Sequence, residues 1–192
     1  MKKKILILFT LIYLIFNFTF SAFSASVPNN PKKQTEAGKY LTAYEAYEIW
    51  KKSPDKIKII DSRTQEEYSF IGHAPMAFNV PVELWTKKWN PKKNNYLLEP
   101  NPNFVAQVKK RIKPNNTIFI MCRSGSRSAK AANLLFKAGI TNIYNIVDGF
   151  EGDKIDDNES YFDGKRIKNG WKNSSAPWTY KMDPSLMYMY NP

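Results

Sequence analysis

Cysteine and histidine are almost missing: of 192 residues one is Cys122 and one is His73. A structural zinc site takes four Cys or His ligands, so this chain cannot build one from its own residues. A single thiol also excludes an internal disulfide framework. Cys122 is a reactive thiol, an intermolecular partner or a core residue. Met182, Met187 and Met189 lack the further soft ligands that a copper(I) site needs. No metal and no cofactor is therefore expected. Acidic residues are the minority, 17 against 29 Lys and Arg, for a formal net charge of +12. The basic residues are scattered through Lys51-Lys52, Lys87-Lys88, Lys92-Lys93 and Lys109-Lys110-Arg111 and form no stripe, which argues against nucleic acid as a partner. Their summed field favours small anions.

One long apolar run is present. Lys2, Lys3 and Lys4 precede Ile5 to Phe20, and small residues follow over 21–26. That order predicts a secretory signal peptide over 1–25 and a periplasmic or secreted protein, with no stable membrane insertion after cleavage. An uncleaved leader would act as a membrane anchor. Residues 26–39, polar with two prolines, are expected to form a linker. A domain over 40–152 and a C-terminal extension over 153–192, packed on the domain, complete the expected organisation.

Within the domain, Thr42 and Glu45 have capping-box spacing, and Ala43, Ala46, Tyr47 and Trp50 recur at helical period; Pro54 closes that helix. "KIKIID" reads as a strand, residues 65–70 as one helical turn, and Phe78 to Val80 as a short strand. Residues 82–103 read as a helical turn followed by a long surface insertion. Asn101 and Pro102 then open a helix that buries Phe104, Val108 and Ile112. "TIFIM" has no alternation and predicts a strand buried on both faces. Ala131, Leu134, Leu135 and Ala138 mark the next helix, with Gly139 at its C-terminal cap. "NIYNIV" is a further strand. Strands alternating with helices predict an α/β fold with a small, mostly parallel sheet flanked by helices. Asp61, Cys122 and Asp148 would then share the carboxyl edge, where open sheets bind ligands. The aromatic tail from Gly152 onward is too rich in Tyr and Trp for free coil, and reads as a strap across the domain, or as a lid or docking surface.

The stretch "CRSGSRS" joins the central strand to its helix. Cys122 leaves the strand and Ser128 enters the helix, so the backbone N–H groups of Arg123 to Arg127 are expected to turn toward the sulfur. The first helical turn has unpaired N–H groups and a partial positive charge, which favours an anionic sulfur. Gly125 permits a positive φ and close approach, and Ser124 and Ser126 add small hydroxyl donors. An inert core cysteine would leave Arg123 and Arg127 without a reason.

"CRSGSR" resembles the six-residue active-site loop of the rhodanese (thiosulfate sulfurtransferase) family, Cys-x-x-Gly-x-Arg. "IIDSRTQEEYSFIGHAPMAFNVP" resembles that family's Asp-x-Arg-x-x-x-Glu-Tyr and Gly-His segments, and "NIYNIVDGFEG" its closing strand. "NGWKNSSAPWTY" is similar to the tail of exported single-domain members. Ala74 and Met76 depart from the family pattern, which bears on the shape of the adjacent loop. The resemblance implies a sulfurtransferase that moves a sulfane sulfur from an anionic, thiosulfate-like donor through a Cys122 persulfide to a thiol, a protein or another nucleophilic acceptor. Cys122 and Arg127 would be catalytic, Arg127 bracing the loop; Arg123, Ser124, Gly125 and Ser126 would bind substrate. Asp61, Arg63, Glu67 and His73 would be scaffold. With no second thiol, the acceptor must come from another molecule. A non-catalytic rhodanese-like binding module in a periplasmic assembly is the alternative. Cysteine phosphatases place their loop arginine six positions after the cysteine, where this chain has Ser128, so that chemistry is disfavoured.

Overall fold

The structure is a computed structural model that describes residues 25–189. The expected signal peptide, 1–25, lies almost wholly outside those residues. Among the described residues no helix is long and apolar enough to cross a membrane.

The central sheet has five strands: β1 (Tyr40–Leu41), β2 (Ile57–Asp61), β3 (Phe78–Asn79), β6 (Thr117–Met121) and β7 (Ile143–Ile146). Their order is β1-β7-β6-β2-β3 and every neighbouring pair is parallel. The period of two sorts the side chains into two cores. Ile57, Ile59, Phe119 and Met121 face α1 (Ala43–Trp50) and the tail residue Trp171. Ile60, Ile118 and Ile120 face the opposite layer, α3 (Phe104–Lys109) and α4 (Ser126–Lys137), through Phe104, Val108, Ala131 and Leu135. Burial on both faces explains why "TIFIM" carries no polar alternation.

Helices α1 and α2 (Gln65–Phe70) both begin with complete capping boxes, Thr42 with Glu45 and Thr64 with Glu67. On α4 the buried face is Ser128, Ala129, Ala131, Ala132 and Leu135, whereas Leu134, expected on it, is exposed. The small residues let the helix lie close to the sheet. The start of α3 also differs from expectation. Asn103 is its N-cap, and Asn101 accepts from Asn103 N–H while donating to Pro81 O at 2.8 Å.

The expectation for 82–103 is corrected. Instead of a helical turn and an irregular insertion, β4 (Glu83–Asn90) and β5 (Asn95–Pro100) form an antiparallel hairpin. Asn90 Oδ1 accepts from Lys92 and Lys93 N–H, and Asn94 takes a positive φ of 50° at the turn. Asn tolerates that region, so the same Asn and Pro residues that resemble loop sequence make the turn. The base is pinned to the sheet, since Val80 N–H donates to Asp61 O and Val82 N–H to Ser62 O.

Residues 26–39, expected as a flexible linker, hold a 3-10 turn over Pro31–Lys33 and dock on α4 and β7: Glu36 N–H donates to Asn133 Oδ1 of α4 and Asn145 Nδ2 of β7 to Lys33 O. The tail crosses the α1 side. Trp171 is fully buried, meets Tyr47 edge-on at 5.8 Å and donates its indole N–H to Pro177 O. Beyond it, His73 and Thr179 exchange two backbone hydrogen bonds, and Asn79 N–H donates to Leu186 O.

Candidate active site

The parallel register sets Asp61 opposite Met121, so β2 and β6 end at the same level. The chain leaves β6 at Cys122 and enters α4 at Ser126. A loop this short is held by its carbonyls. Cys122 O accepts from Phe150 N–H at 2.8 Å and Arg123 O from Glu151 N–H at 2.9 Å; Gly125 O accepts from Asn145 Nδ2 at 3.1 Å. Two glycines make this packing possible. Gly125 has φ +99°, and a Cβ on it would lie 2.2 Å from Val147 O; a Cβ on Gly149 would lie 2.5 Å from Cys122 O.

Cys122 is 1% exposed. Gly125 N–H donates to its Sγ at 3.2 Å, and the Ser128 hydroxyl lies 3.4 Å from it and 3.0 Å from Gly125 O. Among the described residues no other backbone amide bonds the sulfur, so the expected ring of amides from Arg123 to Arg127 reduces to one. Ser128 supplies what the sequence reading did not foresee. Its signal is positional, because the residue six after the cysteine falls on the first turn of α4 and faces back toward the strand end.

Arg127 does not point at the sulfur's ligands. Its guanidinium forms a two-pronged pair with Glu67, at 2.6 and 2.5 Å. Burial would raise the Glu67 carboxyl, but the hydrogen bonds and charge of Arg127 win and hold it below the usual range. Burial likewise opposes the Arg127 charge, and Glu67 overrides it, so Arg127 stays protonated. This pair ties the Cys122 loop to α2. The Cys122 sulfur, when anionic, interacts favourably with Arg127 and with Arg166.

Arg123 is exposed and its side chain forms no hydrogen bond or ion pair among the described residues. Its charge is felt by neighbours on the tail side. Glu151 is pushed up by burial against the pull of Arg63 and Arg123, and Arg166 is pushed down by burial and then by Arg123. Ser124 and Ser126 are half-buried and line the same groove as Cys122 and Arg123. The structure therefore gathers all six residues singled out in the sequence, Cys122 to Arg127, into one loop.

Asp61, Arg63 and His73 sit beneath it. Arg63 and Asp61 are both fully buried and paired at 2.6 Å; Arg63 also donates to Gly72 O at 2.8 Å and stacks 4.0 Å over Phe150. His73 stacks on Tyr68 at 3.9 Å, its Nδ1 3.1 Å from Tyr68 O. None of the three reaches the sulfur by a hydrogen bond. Asp148 accepts from Ala43 and Gly170 N–H, joining α1 to the tail, and burial raises its carboxyl.

Above the loop lies a groove of about 980 Å³, and its far wall is the hairpin. Trp85, Trp89, Tyr96 and Leu98 line it. Trp85 and Trp89 each pack on Tyr96, at 5.6 and 5.3 Å between ring centres. The sequence reading of this segment as a surface insertion gave it no part in the site. The signal was Trp85 with Trp89 and Tyr96 with Leu98, which share parity on two strands around an Asn-rich turn.

Comparison with known proteins agrees with this geometry. The sequence matches the rhodanese-like domain over residues 42–155. An uncharacterized protein of Rickettsia rickettsii is 34% identical over 128 residues, spanning 67% of this chain and 87% of that one. Thiosulfate sulfurtransferase 16 of the Arabidopsis thaliana chloroplast is 36% identical over 93 residues, 48% of this chain and 70% of that one. The crystal structure of Rv0390 from M. tuberculosis superposes with a TM-score of 0.57 at 29% identity, covering 73% of this chain and 96% of that one. With the parallel sheet, the loop after β6 and the matched span in agreement, this chain belongs to the rhodanese-like domain family.

Proposed function

We propose that the protein is a sulfurtransferase that carries a sulfane sulfur on Cys122. The observation behind this reading is the buried Sγ, which accepts from Gly125 N–H and lies within reach of the Ser128 hydroxyl at the floor of an open groove beside the exposed Arg123. Hydrogen-bond donors and nearby guanidiniums favour a negatively charged sulfur. In the first step the Cys122 thiolate attacks the outer sulfur of thiosulfate, a new S–S bond forms, and the bond to the sulfonate sulfur breaks. Sulfite leaves with the electron pair, so a cysteine persulfide anion is produced with no outside oxidant. An acceptor thiolate then attacks the terminal sulfur, takes it, and restores the Cys122 thiolate. Arg123 holds the anionic donor, Arg127 keeps the loop in place through Glu67, and Ser124, Gly125 and Ser126 line the donor site.

The rickettsial relative is uncharacterized and the plant relative is named a thiosulfate sulfurtransferase, so the chain's own chemistry rests on the loop. Incubation with thiosulfate followed by intact mass measurement is the direct test. One added sulfur is expected, removed by cyanide and absent in Cys122→Ser. No gain from thiosulfate, polysulfide or a protein persulfide would rule out transfer and support a docking module.

A further inference from the structure

The groove is far larger than the reaction's small reactants require. It is lined from Glu83, at the base of the hairpin, to Asn94, at its tip. β4 runs over eight residues, Glu83–Asn90, whose seven steps of about 3.3 Å make a trough roughly 23 Å long. A trough of that length suits some six residues of extended polypeptide, at about 3.3 Å each, and exceeds any simple thiol. Its wall is apolar. Trp85, Trp89 and Tyr96 are each 46–50% exposed, and contiguous exposed aromatics of this kind mark protein contacts. Its rim is cationic, since Lys32 and Lys93 line the groove and form no ion pair among the described residues. The carboxylates at the same place are occupied: Glu67 by Arg127, and Glu83 by Lys130 at 2.8 Å. The Lys130–Glu83 bridge and the backbone bonds of Val80 and Val82 fix the wall over the sulfur.

We infer that the hairpin is a docking wall for the sulfur acceptor, and that this acceptor is an acidic polypeptide segment carrying a cysteine beside an apolar or aromatic residue. The aromatic wall takes the apolar side chain, Lys32 and Lys93 take the carboxylates, and the thiol is presented to the buried Cys122 at the floor. This inference rests on the transfer reading for its chemistry, but not for its binding.

The test uses two hexapeptides, Glu-Glu-Cys-Phe-Glu-Glu and the same sequence with Lys for Glu, and N-acetylcysteine as a small thiol. Calorimetry with Cys122→Ser is expected to find the acidic peptide bound at least about tenfold more tightly than the basic one, a preference that Trp85→Ala with Trp89→Ala reduces about tenfold. Lys93→Glu is expected to weaken the acidic peptide as well, and serves where the double variant does not fold. With sulfur-loaded wild type, the discharge rate to the acidic peptide relative to N-acetylcysteine is expected to fall by a similar factor in the same variants. Equal binding of both peptides, or unchanged binding in both hairpin variants, overturns the docking wall even if Cys122 loads normally. Selective binding by a protein that never loads sulfur keeps the wall and overturns transfer.

Discussion

Two regions meet at Cys122 and are built on opposite principles. Beneath it, Asp61, Arg63, Glu67 and Arg127 form charge pairs that are wholly or largely withdrawn from water. Above it, the hairpin shows water four large apolar side chains and lends the central sheet no strand. Buried pairs are costly to break, so the lower region holds one geometry. The upper region has little to lose when its side chains change, and is free to be shaped for what it binds.

The sharpest way to break this contrast is Arg63→Ala. It leaves the Asp61 carboxylate buried without its cation, removes the donor to Gly72 O and empties the space over Phe150. Removing one member of a buried pair costs about 3–5 kcal/mol. The urea midpoint of the variant is expected to fall accordingly, with an unchanged slope. A loss below about 1 kcal/mol, the size expected of an exposed pair, would mean that the floor is not held by this pair.

Glu67→Gln is next, with an expected loss of about 1.5–3 kcal/mol for a hydrogen bond to a charged group. Its pH dependence carries the sign. The folded-state carboxyl lies below its ordinary value, burial being outweighed by Arg127. Its contribution is therefore complete above the unfolded value of about 4.3 and is lost as pH falls through the lower folded value. The stability gap between wild type and Glu67→Gln, read from urea titrations, should be flat near neutrality and close below about pH 4. A gap that instead widens toward acid would contradict the pairing.

Arg123→Ala moves from the floor to the rim. The side chain is exposed and unpaired among the described residues, so the fold should be unaffected. Loss of a charge-assisted contact to thiosulfate is expected to raise its KM about tenfold with little change in kcat, the signature of lost ground-state binding. Unchanged kinetics would assign the donor site to another cation or the reaction to another donor.

How much of this was legible in the sequence follows the same division. The floor could be read because burial imposes period. "TIFIM" has no polar alternation since both faces are covered, and the capping box at Thr42 declares where α1 starts. The loop from Cys122 to Arg127 was legible as a turn too tight for anything but a Gly at 125. The amide ring was over-read, because which N–H groups turn inward depends on where Phe150, Glu151 and Asn145 pull the carbonyls, a long-range matter. The hairpin was missed for an energetic reason. Nearly every residue of β5 is exposed, so no hydrophobic face competes with the Asn, Pro and Lys that signal loop. The docking of 26–39 rests on polar contacts with distant partners, hydrogen bonds to Asn133 and Asn145 and ion pairs of Lys33 with Asp153 and Glu36 with Lys137, which leave no pattern in the segment itself.

The smallest expected effect is also the one that most clearly separates wall from floor. Trp89 is 50% exposed and packs on Tyr96, itself 48% exposed, beside the turn of the hairpin. Trp89→Ser removes one member of a ring pair that water already reaches on one side, and no polar group is left buried by the change. The substitution is expected to shift the urea midpoint by no more than about 0.5 kcal/mol, the range of surface changes. A loss of several kcal/mol would show that the hairpin holds the fold together as the charge pairs do, and the aromatic face would then need no partner to account for it. A negligible loss leaves the Trp89 ring in the groove wall without a structural reason, and binding is what remains to explain its position.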